Sequence, residues 1–90
     1  MLRIVEERTT NNLTTLRLDG NIAGQWVETL RASCEQAFQN NGRVILDLTG
    51  VTFADHDGVR LLQRLNQQQI ALINCSPFLQ EQIKHPTNNR

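Results

Sequence analysis

The stretch from Val44 to Gly58 constrains this chain more than any other: a short apolar run ends in an aspartate, and the next helical pattern opens among acids. Val44-Ile45-Leu46 is β-branched and apolar, the composition of a buried strand. From Gly58 onward, Val59, Leu61, Leu62 and Leu65 fall at helical spacing. Thr49-Gly50-Val51-Thr52-Phe53-Ala54 reads as the strand-to-helix connection between them, and Asp55-His56-Asp57-Gly58 stands at the helix start. Amides of a first helical turn lack intrahelical partners and favour negative charge nearby. Function in small α/β domains gathers at such connections.

The rest of the pattern fits an α/β unit. Leu2-Arg3-Ile4-Val5-Glu6 and Leu13-Thr14-Thr15-Leu16-Arg17-Leu18 have strand composition, and Arg8-Thr9-Thr10-Asn11-Asn12 supplies turn residues for an antiparallel hairpin. Asp19-Gly20-Asn21 closes the second strand. From Ala23 to Asn40, the positions Trp26, Val27, Leu30, Cys34, Ala37 and Phe38 predict a long amphipathic helix, stopped by Asn40-Asn41-Gly42. On its other face Arg31 lies within reach of Glu28 and Glu35. Arg43–Leu48 is the central strand and Asp57–Asn66 the second helix, striped by Gly58, Leu61, Leu62 and Leu65. Gln67-Gln68-Gln69 then leads to a strand at Ile70–Ile73. Ser76-Pro77 has the form of an N-cap followed by proline at the first helical position. A last helix therefore runs from Pro77 to Lys84, with Phe78, Leu79 and Ile83 turned inward.

The expected fold class is α/β, one domain over residues 1–84, with a four-stranded mixed sheet, about three helices and the order β-β-α-β-α-β-α. His85–Arg90 holds no anchoring residue and is expected to fray. Strands that each follow a helix pair in parallel through right-handed crossovers. That topology places Asp55, His56, Asp57 and Cys75-Ser76 at the carboxyl ends of the strands, where open sheets meet ligands and partners.

Ninety residues suffice for one modest core and not for a second lobe. Nine Lys and Arg balance nine Asp and Glu with no block of either sign, so the chain lacks a footprint for nucleic acid. Met1-Leu2-Arg3-Ile4-Val5-Glu6-Glu7 is too charged for a signal peptide, and no apolar run is long enough for membrane insertion; the expected location is the cytoplasm. Cys34 falls in the helical stripe as a small hydrophobe, Cys75 ends a strand, and neither requires a disulfide. His56 and His85 sit at no zinc-like spacing, so no metal or other cofactor is expected. Edge strands at the hairpin leave a homodimer open.

Taken together, Leu16-Arg17-Leu18-Asp19-Gly20, the helix containing Leu30, the run from Val44 to Val51, Phe53-Ala54-Asp55, Gly58, the leucine helix and Asn74-Cys75-Ser76-Pro77 resemble the STAS domain family. That is the fold of bacterial anti-sigma-factor antagonists and of the cytoplasmic tails of sulfate transporters, and the resemblance covers nearly the whole chain. It implies a non-catalytic interaction domain. In the antagonist branch such a domain works by partner switching in transcription regulation: it binds an ATP-using anti-sigma kinase and is switched by phosphorylation at the helix start. The partner-binding surface implied here is Asp55, His56, Asp57, Gly58, Arg60 and Leu61. A second implied role is a small cytoplasmic accessory subunit that binds the ATPase of a lipid transporter.

The sequence departs from the family at the switch. The family pattern is Asp-Ser-Ser/Thr-Gly, with the phosphorylated hydroxyl immediately before the glycine, and this chain has Asp55-His56-Asp57-Gly58. Serine phosphorylation is therefore not expected at this position. Asp57 carries about one negative charge where a phosphoserine carries about 1.5 to 2. Three roles are open to it: a helix cap, a fixed charge imitating the phosphorylated state, or a direct contact with a basic partner. Asp55, retained from the family pattern, either shapes the loop or touches the partner. His56 between two carboxylates is open to a pH-sensitive contact or to plain exposure.

Other readings are weaker. Asp47 at a strand end invites comparison with phospho-receiver domains, but the acidic pair is missing and Lys84 is the only lysine. Catalysis by His56 as a base needs a pocket that a ninety-residue open domain hardly encloses. Trp26 reads as core, with an exposed contact as the alternative. The segment from Gly58 to Ser76 is shorter than the family's and lacks its glycine before the last strand, which limits the second helix as a partner surface.

Overall fold

The apolar run at Val44–Leu48 becomes an interior strand. The computed structural model describes residues 1–8 and 12–84. Its elements are β1 (Leu2–Arg8), β2 (Leu13–Ile22), α1 (Gln25–Asn41), β3 (Arg43–Ala54), α2 (His56–Gln67), β4 (Ala71–Ile73) and α3 (Pro77–Lys84). The sheet order is β1-β2-β3-β4, with β1 antiparallel to β2 and the other pairs parallel. The expected α/β class and β-β-α-β-α-β-α order are thus observed. Residues 9–11 of the hairpin turn and the tail 85–90 lie outside the described residues, the expected fraying of the tail with them.

Both parallel connections advance across the sheet in one direction, so right-handed crossovers put α1 and α2 on the same face. The burial pattern agrees: Leu16, Leu18, Val44, Leu46 and Leu48 are buried beneath the helices, while Arg17, Ile45, Asp47 and Thr49 alternate toward the open face. From α1 come Leu30, Cys34 and Ala37, and from α2 come Val59, Leu61, Leu62 and Leu65. The Cys34 thiol has no exposure, and burial with Glu35 nearby pushes its pKa up to about 12, well away from a reactive thiolate. Trp26 packs half-buried against the core.

Two boundaries differ from the sequence reading for one reason. Asp19-Gly20-Asn21 does not close β2, and Thr49–Ala54 is not a connection: both continue as strand. The register between β2 and β3 shifts twice, between Arg17 and Asp19 and between Gly20 and Asn21, each time with one extra residue on β3. Buried positions on β3 therefore run Val44, Leu46, Leu48, Val51, Ala54, and the alternation that marks a strand is lost. The last strand starts at Ala71 and not Ile70, and Gln69 closes the preceding turn with a left-handed φ of 69°.

Helix ends follow their expected chemistry. Gly42 takes the left-handed conformation (φ 79°) and donates its N–H to the Phe38 carbonyl at 2.8 Å. Ser76 Oγ accepts the Leu79 N–H at 3.2 Å, as the Ser-Pro pattern implies. Gln63 Nε2 donates to the Gln82 and Ile83 carbonyls, both at 3.2 Å, tying α3 to α2. Leu79 is buried and Ile83 packs on the core, but Phe78 faces out, contrary to the inward position expected of it. Arg31 on α1 pairs with both Glu28 and Glu35.

Candidate functional site

The carboxyl ends of β2 and β3 deliver Ile22 and Asp55 side by side, the Asp55 N–H donating to the Ile22 carbonyl at 3.1 Å. The Asp55 carboxylate then works in two directions. Its Oδ1 accepts the Gly58 N–H at 2.7 Å, capping α2, and its Oδ2 accepts the Gly24 N–H at 3.0 Å, at the start of α1. One side chain thereby fixes both helix starts to the sheet. The helix begins at His56 and its N-cap is Asp55, so the capping role considered for Asp57 falls to Asp55.

Gly58 is glycine for want of space, not for backbone freedom. A Cβ there would lie 2.2 Å from the Ile22 carbonyl oxygen, so α2 sits against β2 as closely as a bare Cα permits. Gly58 and Leu61, both members of the expected partner surface, are buried in this packing. Neither is exposed on the outer face of α2.

What remains outside is His56, Asp57 and Arg60, followed one turn on by Arg64. Asp57 is the second residue of α2, and among the described residues its carboxylate makes no hydrogen bond or ion pair. Arg60 and Arg64 likewise pair with none of the described carboxylates. The outer face of α2 is therefore a short dipolar strip, acidic at its start and basic beyond. The sequence reading gave no surface role to two aromatics that the fold leaves exposed. Phe53 is 54 % and Phe78 74 % exposed, and both border a cleft of only about 20 Å³ between the end of β3 and α3. The two phenylalanines are exposed apolar surface bordering a shallow cleft. A larger hollow, about 420 Å³ and bordered by Cys34, Phe38, Leu65 and Ile70, lies toward the opposite end of α2.

Asp47 ties neighbouring strand ends together. Its Oδ1 accepts the Thr49 N–H (3.0 Å), the Thr49 hydroxyl (2.6 Å) and Asn74 Nδ2 (3.0 Å), the last tying the exit of β4 to β3. Among the described residues no three His, Cys, Asp or Glu side chains gather as metal ligands, and no helix is long and apolar enough to cross a membrane.

Hydrogen bonds from Thr49 and Asn74 hold the Asp47 carboxyl below its usual value, and the amides of Gly24 and Gly58 do the same for Asp55. A carboxyl depressed in the folded state stabilises fully above its unfolded pKa, about 3.9, and loses that contribution as pH falls through the folded value. The urea midpoint should accordingly hold steady above about pH 5 and fall below about pH 4. Asp55→Asn should make that acid decline shallower; an unaltered decline would contradict the assignment.

A family model described as the STAS domain matches residues 5–84. Among solved structures, that of the anti-sigma factor antagonist SpoIIAA in its unphosphorylated form superposes with a TM-score of 0.74 at 24% identity, covering 92% of this chain and 83% of that one. At that identity the likeness establishes the fold. No curated protein matches the sequence.

Proposed function

The chain belongs to the STAS domain family, and on that premise we propose that it binds a protein partner through the outer start of α2, with a permanent charge at Asp57 where relatives are switched by phosphorylation. The family is generally non-catalytic, and the shallow cleft beside Phe53 and Phe78 is too small to hold a substrate. The observation that supports the reading most is the division of labour between two acids. Asp55 makes both structural contacts, whereas Asp57, standing where the family carries its hydroxyl, is exposed and unengaged. A carboxylate that the fold does not use is free for a partner.

The partner that fits this surface presents a basic group to Asp57, acidic groups to Arg60 and Arg64, and an apolar anchor to Phe53 and Phe78. Opposed charges of this kind set orientation and association rate, and an exposed aromatic pair supplies the anchor. An ATP-binding anti-sigma-type regulator is the partner class we favour. Because Asp57 carries about one charge and cannot be dephosphorylated, such binding would be held in one state and not toggled.

The test is affinity capture from a lysate of the source organism, with wild type, Asp57→Asn, Asp57→Ser and Arg60→Glu compared side by side. The expected result is retention of an ATP-binding regulator whose affinity changes by on the order of tenfold in Asp57→Asn and in Arg60→Glu, and phosphate uptake by Asp57→Ser alone. Equal retention by all four proteins would overturn the reading. Recovery of a transporter ATPase, insensitive to Asp57→Asn, would replace it with the accessory-subunit role.

A further inference from the structure

The outer edge of β1 offers seven residues of strand with no neighbour among the described residues, against three on the outer edge of β4. Its hydrogen-bonding parity is fixed by the hairpin. One step beyond the Leu2–Gly20 register pair, the Asn21 N–H donates to the Met1 carbonyl at 2.9 Å, so the odd-numbered residues of β1 exchange backbone bonds with β2. Leu2, Ile4, Glu6 and Arg8 therefore aim their N–H and C=O groups outward.

We propose that this edge takes a second copy of the chain, antiparallel, about a twofold axis at Val5. In such a pair residues directly opposite share a face of the sheet, and complete overlap of Leu2–Arg8 permits a single register. It sets Leu2 against Arg8 of the partner subunit, Ile4 against Glu6 of the partner subunit, Arg3 against Glu7 of the partner subunit, and Val5 against Val5 of the partner subunit. The outward groups of the even-numbered residues meet one another in that register, and the Val5 pair at its centre is a non-hydrogen-bonded pair.

Charge selects the same arrangement. An edge strand carrying charge ordinarily resists pairing, but here the open face reads Arg3, Val5, Glu7, which is its own complement when reversed. Arg3 makes no ion pair among the described residues although Asp19 is its register partner, and Glu7 reaches only Arg17 at 3.8 Å with both side chains more than half exposed. Val5, 36 % exposed, would be covered at the axis. On the helix side Glu6 and Arg8 already pair at 3.1 Å, so they bring no net charge to the seam. Sliding the strands by one step on the same face either sets Glu6 against Glu6 or sets Arg3 against Val5, and each shift shortens the overlap.

The experiment measures mass in solution by light scattering and sedimentation, for wild type, Arg3→Glu, Glu7→Arg and an equimolar mixture of the two variants, with circular dichroism to verify folding. Wild type should reach twice the chain mass. Each variant alone sets like charges opposite at two positions and should dimerise on the order of tenfold more weakly. The mixture sets two acids against two arginines and should recover the dimer. Val5→Cys, in a Cys34→Ser, Cys75→Ser background, should oxidise to a covalent dimer, because the non-hydrogen-bonded pair brings Cα atoms within about 4.5 Å. A wild type that stays monomeric at its highest soluble concentration would overturn the proposal. So would dimers indifferent to both charge reversals, or a Val5→Cys protein that fails to cross-link while wild type dimerises.

Discussion

Gly58→Ala is expected to lower the unfolding free energy by about 3 kcal/mol, read as a fall in the urea midpoint with little change in slope. The added methyl would meet the Ile22 carbonyl oxygen at 2.2 Å. That oxygen is backbone, held by the pairing of Ile22 with Ala54 and by the Asp55 N–H, so it cannot turn aside as a side chain would. Relief requires α2 to lift from the sheet, which also strains the Asp55 cap. Alanine is the better helix former by roughly 1 kcal/mol; a stabilised Gly58→Ala protein would therefore show that propensity outweighs the contact and that the close approach is not as described. Arg60→Ala, on the outer face of the same helix, should stay within about 0.5 kcal/mol of wild type.

Leu62→Ala is expected to cost about 3 kcal/mol, within the 2 to 5 kcal/mol range for leucines truncated in a core. Leu62 has no exposure and faces the sheet from the middle of α2. Its loss leaves a cavity beneath the helix that presents Asp57, so partner binding should weaken as a consequence of unfolding and not of surface chemistry. Thermal unfolding of the two proteins, with binding measured below both transitions, separates the effects. A loss under 1 kcal/mol would mean that the helix layer closes over the gap.

The expectations met in the structure were those written in local, periodic patterns. The leucine stripe of α2, the Ser76-Pro77 cap of α3 and the parallel pairing of β3 with β4 each rest on spacing or on a single residue type. The extension of β3 through Ala54 was hidden because two register shifts erase its alternation, and a bulge depends on the neighbouring strand rather than on the sequence around it. Whether Asp57 caps the helix stayed open in the sequence for a related reason: two aspartates two residues apart can each serve one helix start. Asp55 makes the capping bond to the Gly58 amide and also accepts the Gly24 amide, thirty-one residues away in sequence and invisible to local pattern. Phe78 was expected in the core because phenylalanine is apolar, yet Leu79 and Ile83 of the same helix fill the inward face and leave it outside.

The separation of a structural acid from an unengaged one is the claim on which the functional reading depends, and equilibrium unfolding of Asp55→Asn beside Asp57→Asn at neutral pH tests it most directly. Asp55→Asn should lose about 1 to 2 kcal/mol, because it weakens two charge-assisted bonds to backbone amides. Asp57→Asn should lose no more than about 0.5 kcal/mol, the share of a first-turn charge in the helix dipole. Equal losses in the two proteins would make Asp57 part of the scaffold and contradict its assignment to the partner surface.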